Sequence, residues 1–449
     1  MRLADNVKKK PHFELPFHVA KKLDISKKKY WIIKIIGFLS AFLIAGIVCT
    51  ILKPGSFGVF YAEMFLAVIN PNVPERTMEF LAAACLLALV AFALAPAFKM
   101  KFWNIGGEGQ ILVGALTAGG IARFMGAAGV PDAAIIIVCL VSAVAAGIVW
   151  ALIPALLKAF FNTNETLFTL MMNYIAIGLI AIMINVWVPS GSQVFGTVYA
   201  GSLPDLFGLK YSLLIVLSIV IIILMCLYLK LTKHGYEIAV VGESVNTARY
   251  IGIDVKKVII RTMILSGAIC GFVGFLLFNG YHHTVNSGLA GGRGFTGVLI
   301  AWLGGFKPSR MIIYALLVAF FQKGSSNAAS TVGISKDNFS AIIVGIFFLI
   351  IIATEFFVNY KVLLKHPLSY YKENLKRKFS RKKALEVAGE VENINEEEAT
   401  LVEEEPVVEE DKTPEAKKTN KKKSTTKKTS SSKKKSSSSS KKKNVKEEK

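Results

Sequence analysis

The chain has 449 residues, of which 53% are hydrophobic, and its formal net charge at pH 7 is +22. A mean hydropathy of +0.50 is too high for a soluble globular protein, so the composition indicates a polytopic membrane protein. The positive charge does not indicate nucleic-acid binding, because the lysines are concentrated at the two ends of the chain, outside the apolar segments.

The first 30 residues form a basic segment with eight lysines between Lys8 and Lys29. They contain no apolar stretch followed by a small-residue cleavage site, so we expect no removable signal peptide. The positive-inside rule places this segment, residues 1–30, in the cytoplasm.

Apolar runs that approach or reach the length of a membrane-spanning helix follow in alternation with short loops. Lysine and arginine mark the loops that we expect inside, such as those around Lys99, Lys158 and Lys233. The clearest runs are Trp31–Leu52, Met78–Ala95, Ile105–Ala122, Asp132–Leu157, Leu167–Val188, Tyr211–Leu231, Val258–Phe278 and Phe339–Phe357.

Three further apolar pieces are shorter than a span. Val59–Ile69 is expected to be re-entrant or interfacial, and Gly291–Gly305 and Met311–Phe321 are expected to be broken or tilted helices that meet a cavity. The prediction is therefore an all-α integral membrane protein, a polytopic helical bundle of roughly ten transmembrane segments across residues 31–357. Both termini are expected in the cytoplasm, with the protein in the cell membrane.

Residues 358–449 differ in character from the bundle. An acidic block, Glu386–Asp411, gives way to repeats of serine, threonine and lysine that cannot bury a core, so we expect a mostly disordered cytoplasmic tail. The tail is either a solvated extension or a polybasic arm that touches anionic lipid or nucleic acid, and the sequence leaves both possibilities open.

The stretch FWNIGGEGQILVG, residues 102–114, places polar side chains among glycines at the start of an apolar run. Polar groups at membrane depth are costly, so Asn104, Glu108 and Gln110 are candidates for the translocation path or its gate. Asn104 and Glu108 are four residues apart and are expected on one helix face, near the cytoplasmic mouth. The alternative is that Glu108 caps a helix or forms a pair at the inner boundary.

A second polar stripe begins at Asn164 and Glu165. Thr166, Thr169 and Asn173 follow at spacings that place them on one face of a helix. This face is suited either to hydrogen bonds between helices or to contact with cargo.

Several patterns that resemble cofactor sites lack the required context. Residues 292–297 fit G-x-G-x-x-G but follow no strand, so we interpret these glycines as helix packing beside Arg293, near a cavity. His282 and His283 are adjacent and point to different sides of a helix, which is poor geometry for a metal. No phosphate-binding loop of the form G-x-x-x-x-G-K-[ST] occurs, so we expect no nucleotide, cofactor or metal on this chain.

The connection His234–Ile253 alternates charged and apolar residues. Ser244 is expected to cap a short helix that runs through Ala248 and Tyr250 and stops at Gly252. Such a helix is either an interfacial element or a segment that docks in the groove of a partner.

Five stretches in order carry a family resemblance: FWNIGGEGQILVGAL, NETLFTLMMNYIA, YEIAVVGESVNTARYIGI, LSGAICGFVG and GFTGVLIAWLGGFKP. Together they resemble the nucleoside and simple-sugar permeases of ATP-binding-cassette importers, and the similarity spans Trp31 to Phe357. The chain looks most like the longer of the two permeases in bacterial nucleoside importers. It departs from the pattern at Gly107, where alanine is common, and in its lysine- and serine-rich tail.

The resemblance implies a membrane subunit without its own ATPase. Its implied partners are a second permease in a heterodimer, a cassette ATPase inside, a substrate-binding lipoprotein outside and the membrane lipid, with no nucleic acid. The candidates for the translocation path or gate come instead from the polar residues themselves, and they are Asn104, Glu108, Gln110, Thr169, Asn173 and Arg293. The implied ATPase-coupling residues are Tyr236, Glu237, Gly242, Glu243, Asn246, Ala248, Arg249, Tyr250 and Gly252.

Three alternative functions are weighed against a nucleoside permease. A permease for a simple sugar or another purine-related cargo belongs to the same class, and the permease sequence discriminates poorly between these cargoes. A secondary transporter is disfavoured because the sequence shows no paired intramembrane acidic residues for ion coupling. A membrane enzyme is disfavoured because no nucleophile and base pair or metal cluster is evident.

Overall fold

A computed structural model describes residues 17–22, 26–70, 73–188, 195–206, 208–364, 376–377 and 379–380. The chain divides into a unit from Met1 to Lys365 and a second unit from His366 to Lys449. The expectations for most of the basic segment 1–30 and for nearly all of the tail 358–449 therefore lie outside the described residues.

Eight described helices are long and apolar enough to cross a membrane, which agrees with the polytopic helical bundle predicted above. They are α1 (Lys27–Leu52), α3 (Pro74–Lys99), α4 (Gly107–Ala127), α5 (Asp132–Phe161), α6 (Glu165–Trp187), α7 (Ser212–Leu231), α10 (Val255–Leu277, continued by a π-helical turn Phe278–His282) and α13 (Lys336–Asn359). The others are α2 (Phe57–Leu66), α8 (Lys233–Glu243), α9 (Val245–Tyr250), α11 (Arg293–Leu303) and α12 (Pro308–Val332).

The central helix of the bundle is α3. Nearly all of its side chains from Phe80 to Phe98 are buried, because α7, α10, α11 and α12 pack around it. A helix that is apolar on every side is suited to such a position, since it presents no polar face to its neighbours. These four helices surround α3 and place it at the core of the bundle.

Glycines let α10 approach two other helices at backbone distance. A Cβ atom added at Gly271 would lie 2.3 Å from the carbonyl oxygen of Ala143 in α5, and one added at Gly274 would lie 2.3 Å from that of Ile111 in α4. Small residues are the usual means of close helix packing in membranes, where lipid gives no hydrophobic drive. The three helices therefore form a tightly packed block.

The segment from His283 to Leu303, which we call the broken crossing, includes most of the piece Gly291–Gly305 that the sequence predicts to be a broken or tilted helix. Ten non-helical residues precede α11, which with 11 residues is about 16 Å long and covers about half of the hydrocarbon core.

The prediction for α12 was wrong in length. Expected as the short piece Met311–Phe321, it runs for 25 residues from Pro308 to Val332. Its polar second half continues as helix because it packs against protein. Gly324 lies against Met64 of α2, and the Asn327 amide donates to the backbone carbonyl of Glu63. The partner α2 corresponds to the re-entrant or interfacial piece expected at Val59–Ile69.

A two-stranded antiparallel ribbon joins the segment before α1 to the segment after α13. Strand β1 (Phe17–Lys21) pairs with β2 (Tyr360–Leu364), so that Phe17 lies opposite Leu364. The Lys22 ammonium donates to the Phe357 carbonyl at 2.7 Å. The segments before α1 and after α13 therefore meet at the same end of the bundle, a pairing that the sequence does not predict.

Candidate functional site

The loop that leads into α4 is held by buried polar contacts. The four-residue spacing predicted that Asn104 and Glu108 share a helix face. This prediction was wrong, because α4 begins only at Gly107 and Asn104 lies in the loop before it. The Asn104 side chain is fully buried: its Oδ1 accepts from the Gly106 N–H at 3.0 Å, and its Nδ2 donates to Ser266 Oγ in α10 at 3.2 Å. Asn104 therefore fixes the turn and attaches it to α10.

The polar face of α6 holds the other side of this loop. The Asn173 amide donates to the Ile105 carbonyl at 3.0 Å and accepts from the Gly109 N–H at 2.8 Å. Thr169 Oγ1 accepts from the Ile105 N–H at 3.2 Å. Since the first N–H groups of a helix lack partners within the helix, Asn173 serves as a cap supplied by another helix. These contacts are the interhelical hydrogen bonds that the sequence allowed as one of two interpretations.

Glu108 caps the half-helix of the broken crossing. Its carboxylate oxygens accept from the Gly292 N–H at 2.8 Å and the Gly294 N–H at 2.7 Å, at the N-terminus of α11. A carboxylate is favoured there by the unpaired N–H groups and the helix dipole. A Cβ atom at Gly294 would lie 2.3 Å from the Glu108 nitrogen, so this glycine of the G-x-G-x-x-G pattern serves helix packing.

Arg293 and Gln110 also belong to this group of polar residues. We call the group the polar centre, and its members are Asn104, Glu108, Gln110, Thr169, Asn173 and Arg293. The Arg293 guanidinium donates to the carbonyls of Leu289 and Ala290 at 3.2 and 3.1 Å, and so holds the non-helical half of the crossing. Gln110 is 1% exposed; its Nε2 lies 3.5 Å from Asn104 Oδ1, and its Oε1 has no partner among the described residues.

The polar centre contacts its neighbouring helices at different distances from their ends. Gly109 packs against Trp150, 11 residues before the end of α5, and Asn104 bonds to Ser266, 11 residues after the start of α10. Both separations correspond to about 16 Å along a helix, whereas Ile105 bonds to Thr169, four residues after the start of α6. The chain therefore turns back into the bundle between α3 and α4, and the expected position near the cytoplasmic mouth stays a prediction.

The connection between α7 and α10 folds as two short helices, α8 and α9. Ser244 caps α9 by accepting from the Thr247 N–H at 3.2 Å, and Gly252 follows the helix with φ = +84°, as predicted. A Cβ atom at Gly242 would lie 2.0 Å from the Lys99 carbonyl, so α8 contacts the end of α3 directly.

The predicted coupling residues divide into a buried and an exposed set. Buried ones attach the helices to the bundle, and they are Glu237, Gly242 and Ala248. Exposed ones form the α8–α9 surface, namely Tyr236, Glu243, Asn246, Arg249, Tyr250 and Gly252. Tyr250 is 92% exposed and Tyr236 is 62% exposed. Large aromatic side chains presented on a firmly packed base are typical of a docking surface.

His234 attaches α8 to the two neighbouring spans. Its Nδ1 lies 3.0 Å from the Tyr228 hydroxyl and its Nε2 lies 3.1 Å from Thr262 Oγ1. Because the Thr262 hydroxyl donates to the Val258 carbonyl, Nε2 carries the proton and Nδ1 accepts from Tyr228. Burial lowers the pKa of His234 below the usual histidine value, which favours the neutral imidazole.

Sequence reasoning missed the charged cluster between α3 and α12. Glu79 of α3 and Lys323 of α12 form an ion pair, and the Tyr281 hydroxyl donates to the same carboxylate at 3.0 Å. Each of these residues is an isolated charged or polar side chain within or beside an apolar run. That isolation was the only indication in the sequence that they need polar partners. Their pairing, across 244 residues of sequence, has no signature in the sequence.

The comparisons with known proteins agree with this architecture. Residues 76–352 match the family described as branched-chain amino acid transport system / permease component. A guanosine ABC transporter permease protein of Bacillus subtilis is 31% identical over 258 residues, covering 56% of this chain and 73% of its own length. A nucleoside ABC transporter permease protein of Lactococcus lactis is 27% identical over 315 residues, covering 67% and 84%.

A third relative is named for a different cargo. The glucose ABC transporter permease protein of Haloferax volcanii is 25% identical over 347 residues, covering 73% of this chain and 88% of its own length. No solved structure matches. Since the family match spans more than half of the sequence and coincides with the helical bundle, the chain belongs to this family of membrane permease components of ABC transporters.

Proposed function

We propose that this chain is the permease subunit that carries nucleosides into the cell and couples their passage to a separate cassette ATPase. The observation that carries the coupling is the α8–α9 surface. It presents Tyr236, Arg249 and Tyr250 outward from helices that pack through glycine on α3. An outward aromatic and cationic surface on a rigid base can transmit the movement of a docked partner into the bundle.

The cargo class rests on the relatives and on the chemistry of the bundle. Two of the relatives named above are described as guanosine and nucleoside permeases. A nucleoside is neutral, and its hydroxyls and base edges match amide, hydroxyl and paired charged groups better than an isolated charge. The glucose permease among the relatives makes a simple sugar the second candidate.

Charge distribution supports an orientation with both termini in the cytoplasm. The end of the bundle that holds α8 and α9 also carries Lys99, Lys101 and Lys158, as expected for an inner face. The β1–β2 ribbon supports placing both ends of the first unit on one side of the membrane. The remaining partners are a second permease subunit in a heterodimer and a substrate-binding lipoprotein outside, in a cell membrane.

The function is tested by reconstituting the chain in liposomes with the ATPase, second permease and lipoprotein encoded by neighbouring genes. ATP-dependent uptake of labelled guanosine is expected, with little uptake of glucose. Uptake of glucose in place of nucleosides would establish the sugar permease. Nucleoside uptake without ATP, driven by an ion gradient, would refute the assignment to an ATP-driven importer.

The coupling surface is tested in the same assembly by Glu243→Ala combined with Arg249→Ala. Substrate-stimulated ATPase activity is expected to fall about tenfold, which corresponds to about 1.4 kcal/mol of docking energy. Lys233→Ala is the matched control, because this lysine of α8 is 88% exposed and its pair with Glu237, at 3.9 Å, is of the exposed kind that contributes little. Unaltered stimulation in the double variant would remove α8–α9 from the coupling contact.

A further inference from the structure

Glu79, Lys323, Tyr281 and Tyr211 form a cluster that the polar centre around Asn104 does not include. The Lys323 ammonium contacts Glu79 Oε1 and lies 5.3 Å from the centre of the Tyr281 ring. The Tyr211 ring centre lies 5.1 Å from that of Tyr281. The cluster thus combines an ion pair with two neighbouring aromatic rings from α3, α12, the π-helical turn and the start of α7.

The ion pair lies at the level of the middle part of the bundle. Glu79 is about 11 Å from the middle of α3 and Lys323 about 5 Å from the middle of α12, counted along each helix axis. For α3, which is long and apolar enough to cross a membrane, this distance is smaller than half the thickness of the hydrocarbon core, about 15 Å. In the orientation proposed above, both residues lie toward the outer side.

The two charges are only partly buried, which distinguishes them from Glu108. The Glu79 side chain is 41% exposed and that of Lys323 is 27% exposed, whereas Glu108 is 7% exposed. Lipid does not solvate charged side chains, so this exposed surface must face water or another polar surface. A space for water on this face is what a cargo path requires.

The cluster also has unused hydrogen-bonding capacity. Among the described residues, both contacts of the Glu79 carboxylate use Oε1, which leaves Oε2 as a free acceptor. Lys323 has three N–H donors and uses one of them on Glu79. In the polar centre, by contrast, the two Glu108 oxygens and both ends of the Asn173 amide are bonded to backbone groups.

We propose that this cluster is a cargo-contact site for the ribose and base of a nucleoside. Glu79 accepts from the ribose hydroxyls, Lys323 donates to a ribose oxygen, and the base lies against the ring of Tyr211 or Tyr281. A carboxylate and an ammonium together carry no net charge, which suits a neutral cargo that presents adjacent hydroxyls. This inference rests on the proposed nucleoside function and assigns cargo contact to a different face from the polar centre.

The test compares ATP-dependent uptake of guanosine and 2′,3′-dideoxyguanosine in reconstituted assemblies that share one lipoprotein. Because the lipoprotein's own preference is common to all assemblies, a change in the uptake ratio reports the permease. In Glu79→Gln and in Lys323→Met, the preference for guanosine is expected to fall about tenfold or more, since the groups that bond the hydroxyls are changed. Glu75→Gln is the matched control, because this α3 carboxylate pairs with Lys210 at 3.1 Å but is 60% exposed.

Removing one partner of an ion pair leaves the other unpaired, so the double variant Glu79→Gln with Lys323→Gln is measured alongside. It carries neither charge, and it too is expected to lose the preference for guanosine. In a complementary measurement, Ser326→Cys, three residues beyond Lys323 on α12, is expected to react with a membrane-impermeant thiol reagent, and guanosine is expected to slow that reaction.

The outcomes separate this inference from the proposed function. Normal guanosine uptake with an unchanged ratio in the single and double variants would overturn the cargo-contact site alone. Failure of the reagent to reach the thiol of the Ser326→Cys variant would also overturn it, because the face would then be closed to water. Absence of any nucleoside uptake by the unsubstituted assembly would overturn the proposed function and this site with it.

Discussion

Glu108→Gln tests whether a carboxylate of α4 holds the broken crossing in place. The wild-type side chain accepts two N–H groups of α11, at 2.8 and 2.7 Å. Glutamine retains one acceptor oxygen, so one N–H loses its partner and the other bond becomes neutral. Bonds to a charged group contribute about 1.5–3 kcal/mol against 0.5–1.5 kcal/mol for neutral ones, and the helix dipole adds up to about 1 kcal/mol. The substitution is therefore expected to remove about 4 kcal/mol of the free energy that holds the N-terminus of α11 against local opening.

Amide hydrogen exchange, read by mass spectrometry on the purified protein, measures this cost directly. A loss of about 4 kcal/mol corresponds to exchange about a thousandfold faster at the first amides of α11 if they exchange by local opening. Glu165→Gln is the control, because that carboxylate forms a partly exposed pair with Lys158 at 2.8 Å, away from α11. Wild-type exchange at α11 in Glu108→Gln would show that the carboxylate does not hold the half-helix.

Three further predictions concern the packing and the coupling helices. Asn173→Ala leaves two backbone groups at the start of α4 without partners, so it should lower the free energy of unfolding by about 2–4 kcal/mol and weaken uptake. The loss is measured as a lower thermal unfolding temperature in detergent, and unchanged stability would contradict the capping role of Asn173. Gly271→Leu should abolish assembly, judged by size-exclusion chromatography, because its side chain would meet the backbone of α5, whereas Gly178→Leu should assemble, since nothing lies within 4 Å of a Cβ atom there. His234 has a lowered pKa in the folded protein, so above about pH 6.5 its titration contributes nothing, and as the pH falls below that value the attachment of α8 weakens. Substrate-stimulated ATPase should therefore decline with acid more steeply in the wild type than in His234→Gln, and equal acid profiles would exclude this histidine.

Hydropathy and loop charge were sufficient to predict the bundle because membrane-spanning helices must be long and apolar. The broken crossing before α11 was visible in its glycines. The second half of α12 was missed because its polar residues resemble a loop until α2 is known to cover them. Strand β1 was missed since its partner β2 lies about 340 residues away.

The polar residues of the α4 region were predicted by type but not by position. Asn104 was placed on a helix because the sequence does not show that α4 starts at Gly107. The partners of Glu108 are backbone N–H groups 184 and 186 residues away. Nearly every residue type has a backbone N–H, so the sequence does not show which ones bind this carboxylate. Long-range pairing of single side chains, as between Glu79 and Lys323, is set by helix packing and so requires the three-dimensional structure.

The β1–β2 ribbon also constrains the order in which the molecule can be completed. Its two strands come before α1 and after α13, so a chain synthesised from the N-terminus cannot form the ribbon until α13 has been made. Until then, β1 is an unpaired edge with open backbone groups. Protection of the β1 amides from hydrogen exchange, measured during synthesis, shows when the ribbon forms. It would therefore report that α13 has been made and has reached its place in the bundle.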